Sequence, residues 1–95
     1  MKIVFDPRAV EDLERIYDFI AADSPINARA VIDRILSSVE KLGAFPQMAR
    51  VGRVEGTREW VIPRLPYIAV YKIDMERDVL TVIAVFHGAQ DRDGE

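Results

Sequence analysis

Residues 56–91, GTREWVIPRLPYIAVYKIDMERDVLTVIAVFHGAQD, decide the fold. Three apolar, β-rich runs follow one another here, at 57–62, 67–74 and 79–87. A Pro-x-x-Pro bend (Pro63, Pro66) separates the first two, and a charged turn at 75–78 separates the last two. Strands joined this tightly pair with their sequence neighbours, so the segment predicts a three-stranded antiparallel meander. The last run is apolar on both parities, with Leu80, Val82, Ala84 and Phe86 on one side and Val79, Ile83 and Val85 on the other. A strand greasy on both faces belongs in the middle of a sheet.

Upstream, residues 2–5 read as a short strand. Asp6-Pro7 then starts a helix, because an aspartate caps free backbone N–H groups and proline suits the first helical position. Val10, Leu13, Ile16, Tyr17 and Ile20 give it one apolar face, and Glu11, Asp12 and Glu14 sit toward the positive end of its dipole. The helix is expected to fade near Asp23, where Ser24-Pro25 repeats the start signal. A second helix carries Ile26, Ala30, Val31, Ile32, Ile35, Leu36, Val39 and Leu42, with Gly43 as its stop. Helices separated by so few residues fold back as an antiparallel hairpin. The stretch 44–55 reads as a loop with room for a short strand.

The predicted class is α+β: an N-terminal strand, a helical hairpin, then the meander, in the order β-α-α-β-β-β. One domain spans 1–91, and 92–95 form a polar tail. A hairpin of helices covers only one face of such a sheet. The other face is either covered by something else or exposes an apolar patch that marks a partner site.

The composition narrows the function classes. No apolar run approaches the roughly 20 residues of a membrane helix, and the start, MKIVFDPRA, does not resemble a secretory signal. Without cysteine there is no disulfide and no thiolate metal site, and the expected location is the cytoplasm. A net charge of −3 speaks against strong binding of free nucleic acid. Positive charge is gathered locally. Residues 50–72 hold Arg50, Arg53, Arg58, Arg64 and Lys72 against only Glu55 and Glu59. That suits contact with an acidic partner or a phosphate, and equally a solvated strand face. No phosphate-cradling glycine loop, metal cluster or serine triad is present, so neither cofactor nor metal is expected.

In the order of its motifs the chain resembles the RelE/ParE superfamily, the toxins of bacterial type II toxin–antitoxin pairs. The resemblance rests on Phe45-Pro46 with Arg50 and Gly52, then Gly56-Thr57-Arg58-Glu59. It continues through Pro66-Tyr67-Ile68-Ala69-Val70-Tyr71 and closes on Val85-Phe86-His87-Gly88-Ala89-Gln90-Asp91. It implies a toxin held inactive by a cognate antitoxin whose C-terminal segment wraps it.

RelE-like members cleave messenger RNA on the ribosome, whereas ParE-like members poison DNA gyrase. Cleavage by a 2′-hydroxyl needs a base, an acid and a cation for the phosphorane charge. The nucleases place an arginine where this chain has Ile68, and the Pro-Tyr and His-Gly-Ala-Gln-Asp pieces look like the ParE branch. The resemblance therefore implies a gyrase-binding toxin. The alternatives are a ribosome-dependent nuclease using His87 with Arg58, Arg64 or Lys72, and a non-toxic member that serves only as a complex partner.

The candidate contacts to a target or antitoxin are Arg50, Arg58, Trp60, Arg64, Tyr67 and Tyr71. His87 has the side chain of a general acid or base, but a lone histidine at a strand end also serves as a structural hydrogen-bonding residue. Trp60, Tyr67 and Tyr71 could stack bases, or simply fill core or interface. Arg58 and Glu59 are adjacent on a strand, so they face opposite sides and do not converge on one atom.

Overall fold

The computed structural model describes residues 1–89. The elements are β1 (Lys2–Phe5), α1 (Pro7–Ala21), α2 (Pro25–Ala44), β2 (Arg50–Val51), β3 (Arg58–Val61), β4 (Tyr67–Asp74) and β5 (Val79–His87). The expected order is present, and the loop between α2 and the meander contains the short strand β2. The boundary expected at residue 91 and the tail 92–95 lie outside the described residues.

Local chemistry starts both helices. The Asp6 carboxylate accepts the Arg8 N–H at 2.9 Å, and the Ser24 hydroxyl accepts the Asn27 N–H at 3.2 Å, each just before a proline. Two expectations need correction. The first turn of α1 carries no acid, so Glu11, Asp12 and Glu14 sit a turn too late to act mainly on the dipole. Gly43 does not stop α2, which runs on to Ala44. A side chain at position 43 would lie 3.2 Å from the Met1 carbonyl and 3.3 Å from the Ile3 side chain. This glycine lets the N-terminal strand pass close to the helix.

The five strands form one sheet in the order β1-β5-β4-β3-β2. β1 runs parallel to the central β5, and the remaining pairs are antiparallel. On β4 and β5, Tyr67 pairs with His87, Ala69 with Val85, Tyr71 with Val82 and Ile73 with Leu80. The register slips between Val70 and Tyr71, leaving Ile83 as an extra residue on β5. The simple alternation read from the sequence is therefore wrong beyond Val82. Val85 joins Leu80 and Val82 on the face beneath the helices, while Ala84 and Phe86 turn to the far face.

The core forms under the hairpin. Ala9 of α1 and Ile35, Val39 and Leu42 of α2 pack on Ile62, Ala69, Tyr71, Leu80, Val82 and Val85. Each large side chain buried here stabilises the fold by about 1.5–3 kcal/mol relative to exposure. The helix stripes are narrower than the sequence suggests. Val10, Tyr17, Ile26 and Leu36 remain exposed, and Ile26 is 82% accessible. Among the described residues no helix lies on the far face of the sheet, yet Glu59, Val70 and Ala84 on it are buried. Glu59 accepts the Arg53 N–H at 3.0 Å, which ties the loop after β2 to that face. The uncovered apolar surface is thus smaller than a whole sheet face.

Candidate functional site

β3 decides where most of the candidate residues go. Trp60, opposite Ala69, lies beneath the helices and donates its indole N–H to the Ser38 hydroxyl at 2.8 Å. Arg58, opposite Tyr71, is on the same side and donates to the Ala49 carbonyl at 2.8 Å and the Gln47 carbonyl at 3.5 Å. Glu59 faces the other way. One carboxylate oxygen meets the Arg50 guanidinium at 3.0 Å while the other takes the Arg53 N–H. Burial pushes the Glu59 pKa upward. The Arg53 N–H, the Arg50 hydrogen bond and the charges of both arginines outweigh it and hold the carboxyl below its ordinary value. Arg50 and Arg58 therefore secure the 45–53 segment from opposite sides of one strand.

The tyrosines belong to the core. Tyr71 is fully buried and its hydroxyl donates to the Pro46 carbonyl at 2.6 Å. Burial raises its pKa. Tyr67 is also buried and meets the His87 ring edge-on, with centroids 5.4 Å apart. Neither presents a face on which a base or a partner side chain could stack. His87 uses Nδ1 to accept the Ala89 N–H at 3.0 Å. It stands at the end of β5, across the sheet from Glu59 by parity. The residues proposed for cleavage chemistry are thus distributed over two faces and two strand ends.

Of the five cations in residues 50–72, Arg64 and Lys72 have no hydrogen-bonded or ion-paired side-chain partner among the described residues. Lys72 projects from the far face, opposite Thr81. Arg64 sits in the β3–β4 turn, which the Leu65 N–H closes onto the Ile62 carbonyl at 3.2 Å. Its φ of 67° lies in the left-handed region favoured by glycine.

The sequence reading missed the open edge of β1. The Lys2 and Asp6 N–H groups bond to the Asp78 and Val82 carbonyls of the β5 side. Ile3 and Phe5 therefore aim their backbone groups outward, where the sheet has no further strand among the described residues. Beside that edge, Ile3, Phe5, Leu36 and Val39 line a groove with Asp33, Ser37 and Glu40. The outward parity of Leu36 on α2 was the available signal. A second apolar spot lies near the tip of the hairpin, where Phe19 is 80% exposed. Among the described residues, no group of three or more His, Asp or Glu side chains could hold a metal, and no helix is long and apolar enough to cross a membrane.

Comparison with known proteins places this geometry. The family described as the ParE toxin of type II toxin–antitoxin system, parDE, matches residues 3–92. A protein of Sinorhizobium fredii named "Putative toxin Y4kP" is 38% identical over 76 residues, spanning 80% of this chain and 79% of its own. Among solved structures, the chromosomal ParDE system of P. aeruginosa superposes with a TM-score of 0.80 at 22% identity, covering 92% of this chain and 95% of that one. The intact E. coli RelBE toxin–antitoxin complex gives 0.69 at 16% identity, covering 94% and 98%. At these identities the superpositions speak for the fold.

Proposed function

The chain belongs to the ParE toxin family of type II toxin–antitoxin systems, within the RelE/ParE superfamily, and on that premise we propose that it is a growth-inhibiting toxin of the cytoplasm that binds DNA gyrase. A cognate antitoxin neutralises it by laying an extended C-terminal segment against it. The observation that carries the partner half of this reading is the open edge of β1 beside the Ile3–Phe5–Leu36 groove. An unpaired edge next to apolar surface is a template for a segment of another chain.

Ile68 supports the target half. It occupies the strand position where a nuclease of this superfamily needs a cation, and its neighbours across the sheet are Val61 and Phe86. A row of apolar side chains stabilises no phosphorane, whereas it suits contact with a protein.

Purified chain added to gyrase and relaxed plasmid is expected to slow supercoiling, and prior mixing with the antitoxin to restore it. Normal supercoiling together with ribosome-dependent cleavage of messenger RNA would replace this reading with the nuclease one. Normal supercoiling without cleavage or growth inhibition would leave a non-toxic complex partner.

A further inference from the structure

The far face of the sheet has an organisation that neither the core nor the loop ties explain. Along β4 it reads Ile68, Val70, Lys72, with the Arg64 turn just before it. The Arg53 N–H ties the loop after β2 to Glu59, opposite Val70, and not to the next row, where Val61 pairs with Ile68. Val61 is 47% exposed there. Arg64 and Lys72, the cations of residues 50–72 without a hydrogen-bonded or ion-paired partner among the described residues, bracket this strip, in which Val61 and Ile68 are accessible and Val70 is buried. Ile68 and Lys72 are four residues apart, about 13 Å along an extended strand.

Arg64 carries the strongest indication. Its turn has the type II pattern, with Pro63 in the second place and a positive φ in the third, where glycine fits without strain. An arginine there holds backbone strain that a glycine would not. Nothing within the described chain uses its guanidinium in return. Strain held at an exposed, unpaired charge is explained when that charge meets something outside the chain.

We propose that this strip is a docking surface for an extended segment of a partner protein, one face of which carries apolar side chains flanked by carboxylates. The apolar side chains would cover Val61 and Ile68, and carboxylates about four to six residues apart would reach Arg64 and Lys72. A nucleic acid fits less well, since neither Val61 nor Ile68 offers a ring for a base to stack on. Two cations are too few for a membrane surface. This inference does not depend on whether gyrase is the target.

The test is a selection of 12-residue displayed peptides on the purified chain, followed by affinity measurement on variants. Peptides whose every second residue runs acidic, apolar, acidic along one face are expected, with affinity falling about tenfold for R64E combined with K72E, consistent with the loss of two exposed ion pairs. R8E, at the start of α1, should leave affinity unchanged. R64G separates docking from folding: it relieves the turn, so the melting temperature should hold or rise while affinity falls. Peptides of another chemistry, peptides indifferent to R64E and K72E, or no selected peptide would each overturn the proposal. So would self-association of the chain that V61E disperses, since that would make the strip a contact between copies, or RNA binding that R64E abolishes.

Discussion

Asp12 offers the sharpest test of how this fold is held. Two residues beyond the bulge at Ile83, the Val85 N–H goes to Asp12, 73 residues away in sequence, which accepts it at 2.9 Å. The other carboxylate oxygen meets Arg15 at 2.5 Å, but that guanidinium side chain is 71% exposed whereas Asp12 is 13% exposed. The two contacts therefore differ in weight. A partly buried N–H left without its charged acceptor costs about 1.5–3 kcal/mol, while an exposed ion pair contributes less than about 1 kcal/mol. Asp12→Ala should destabilise the chain by about 2 kcal/mol. For a domain of this size that corresponds to a melting temperature lower by about 10 °C. Asp12→Asn keeps an acceptor and should cost about half as much, and Arg15→Ala less than about 0.5 kcal/mol. Urea unfolding followed by far-UV circular dichroism measures all three, and amide exchange at Val85 reports the site directly. An Asp12→Ala loss below about 0.5 kcal/mol, or an Arg15→Ala loss equal to it, would refute the assignment of Asp12 as the partner of the bulge.

Two other ties make their own predictions. The folded-state pKa of Glu59 is depressed, so the stability it contributes is present above the unfolded value of about 4.3 and is lost as pH falls through the lower folded value. Urea midpoints between pH 3 and 7 should show Glu59→Gln less stable than the parent at neutrality, with the gap closing below about pH 5; a gap independent of pH would contradict this. Trp60→Phe strands the buried Ser38 hydroxyl and should cost about 1–2 kcal/mol. Adding Ser38→Ala should recover part of that loss in a double-mutant cycle, and strictly additive losses would show that the hydrogen bond does not couple them.

What could be read from the sequence was what local chemistry decides. Asp6-Pro7 and Ser24-Pro25 announce both helix starts because a cap and its acceptor lie within three residues. The Pro63–Pro66 bend and the charged turn at 75–78 set the meander in the same way. Two of the errors have partners far away in sequence. Nothing in VLTVIAVFH marks Ile83 as extra, because the group that tolerates the bulge is Asp12 on the first helix. Gly43 looks like a helix stop, but its lack of a side chain serves Met1 and Ile3. Ile26 has the right spacing for the helix face and still stands in solvent, since it lies near the hairpin tip beyond the sheet. The candidate site was legible as a list of residues. Which of them reach the surface depends on parity and burial, and that put Tyr67 and Tyr71 inside.

The same parity bears on the choice between a binder and a nuclease. The five cations of residues 50–72 look like one basic patch in the sequence, but the strands divide them. Arg58 goes under the helices to the Ala49 and Gln47 carbonyls, and Arg50 goes to the far face and Glu59. His87 lies at the end of β5 against Tyr67. A phosphoryl-transfer centre needs its base, acid and cation within hydrogen-bond reach of one phosphate. Arg58 and Glu59 are neighbours on β3 and face opposite sides in any register, and a slip by one residue would only exchange them while exposing Trp60 and burying Val61. The strand alternation that builds the core thus also keeps these groups apart. The cations it leaves over, Arg64 and Lys72, are placed to touch another macromolecule.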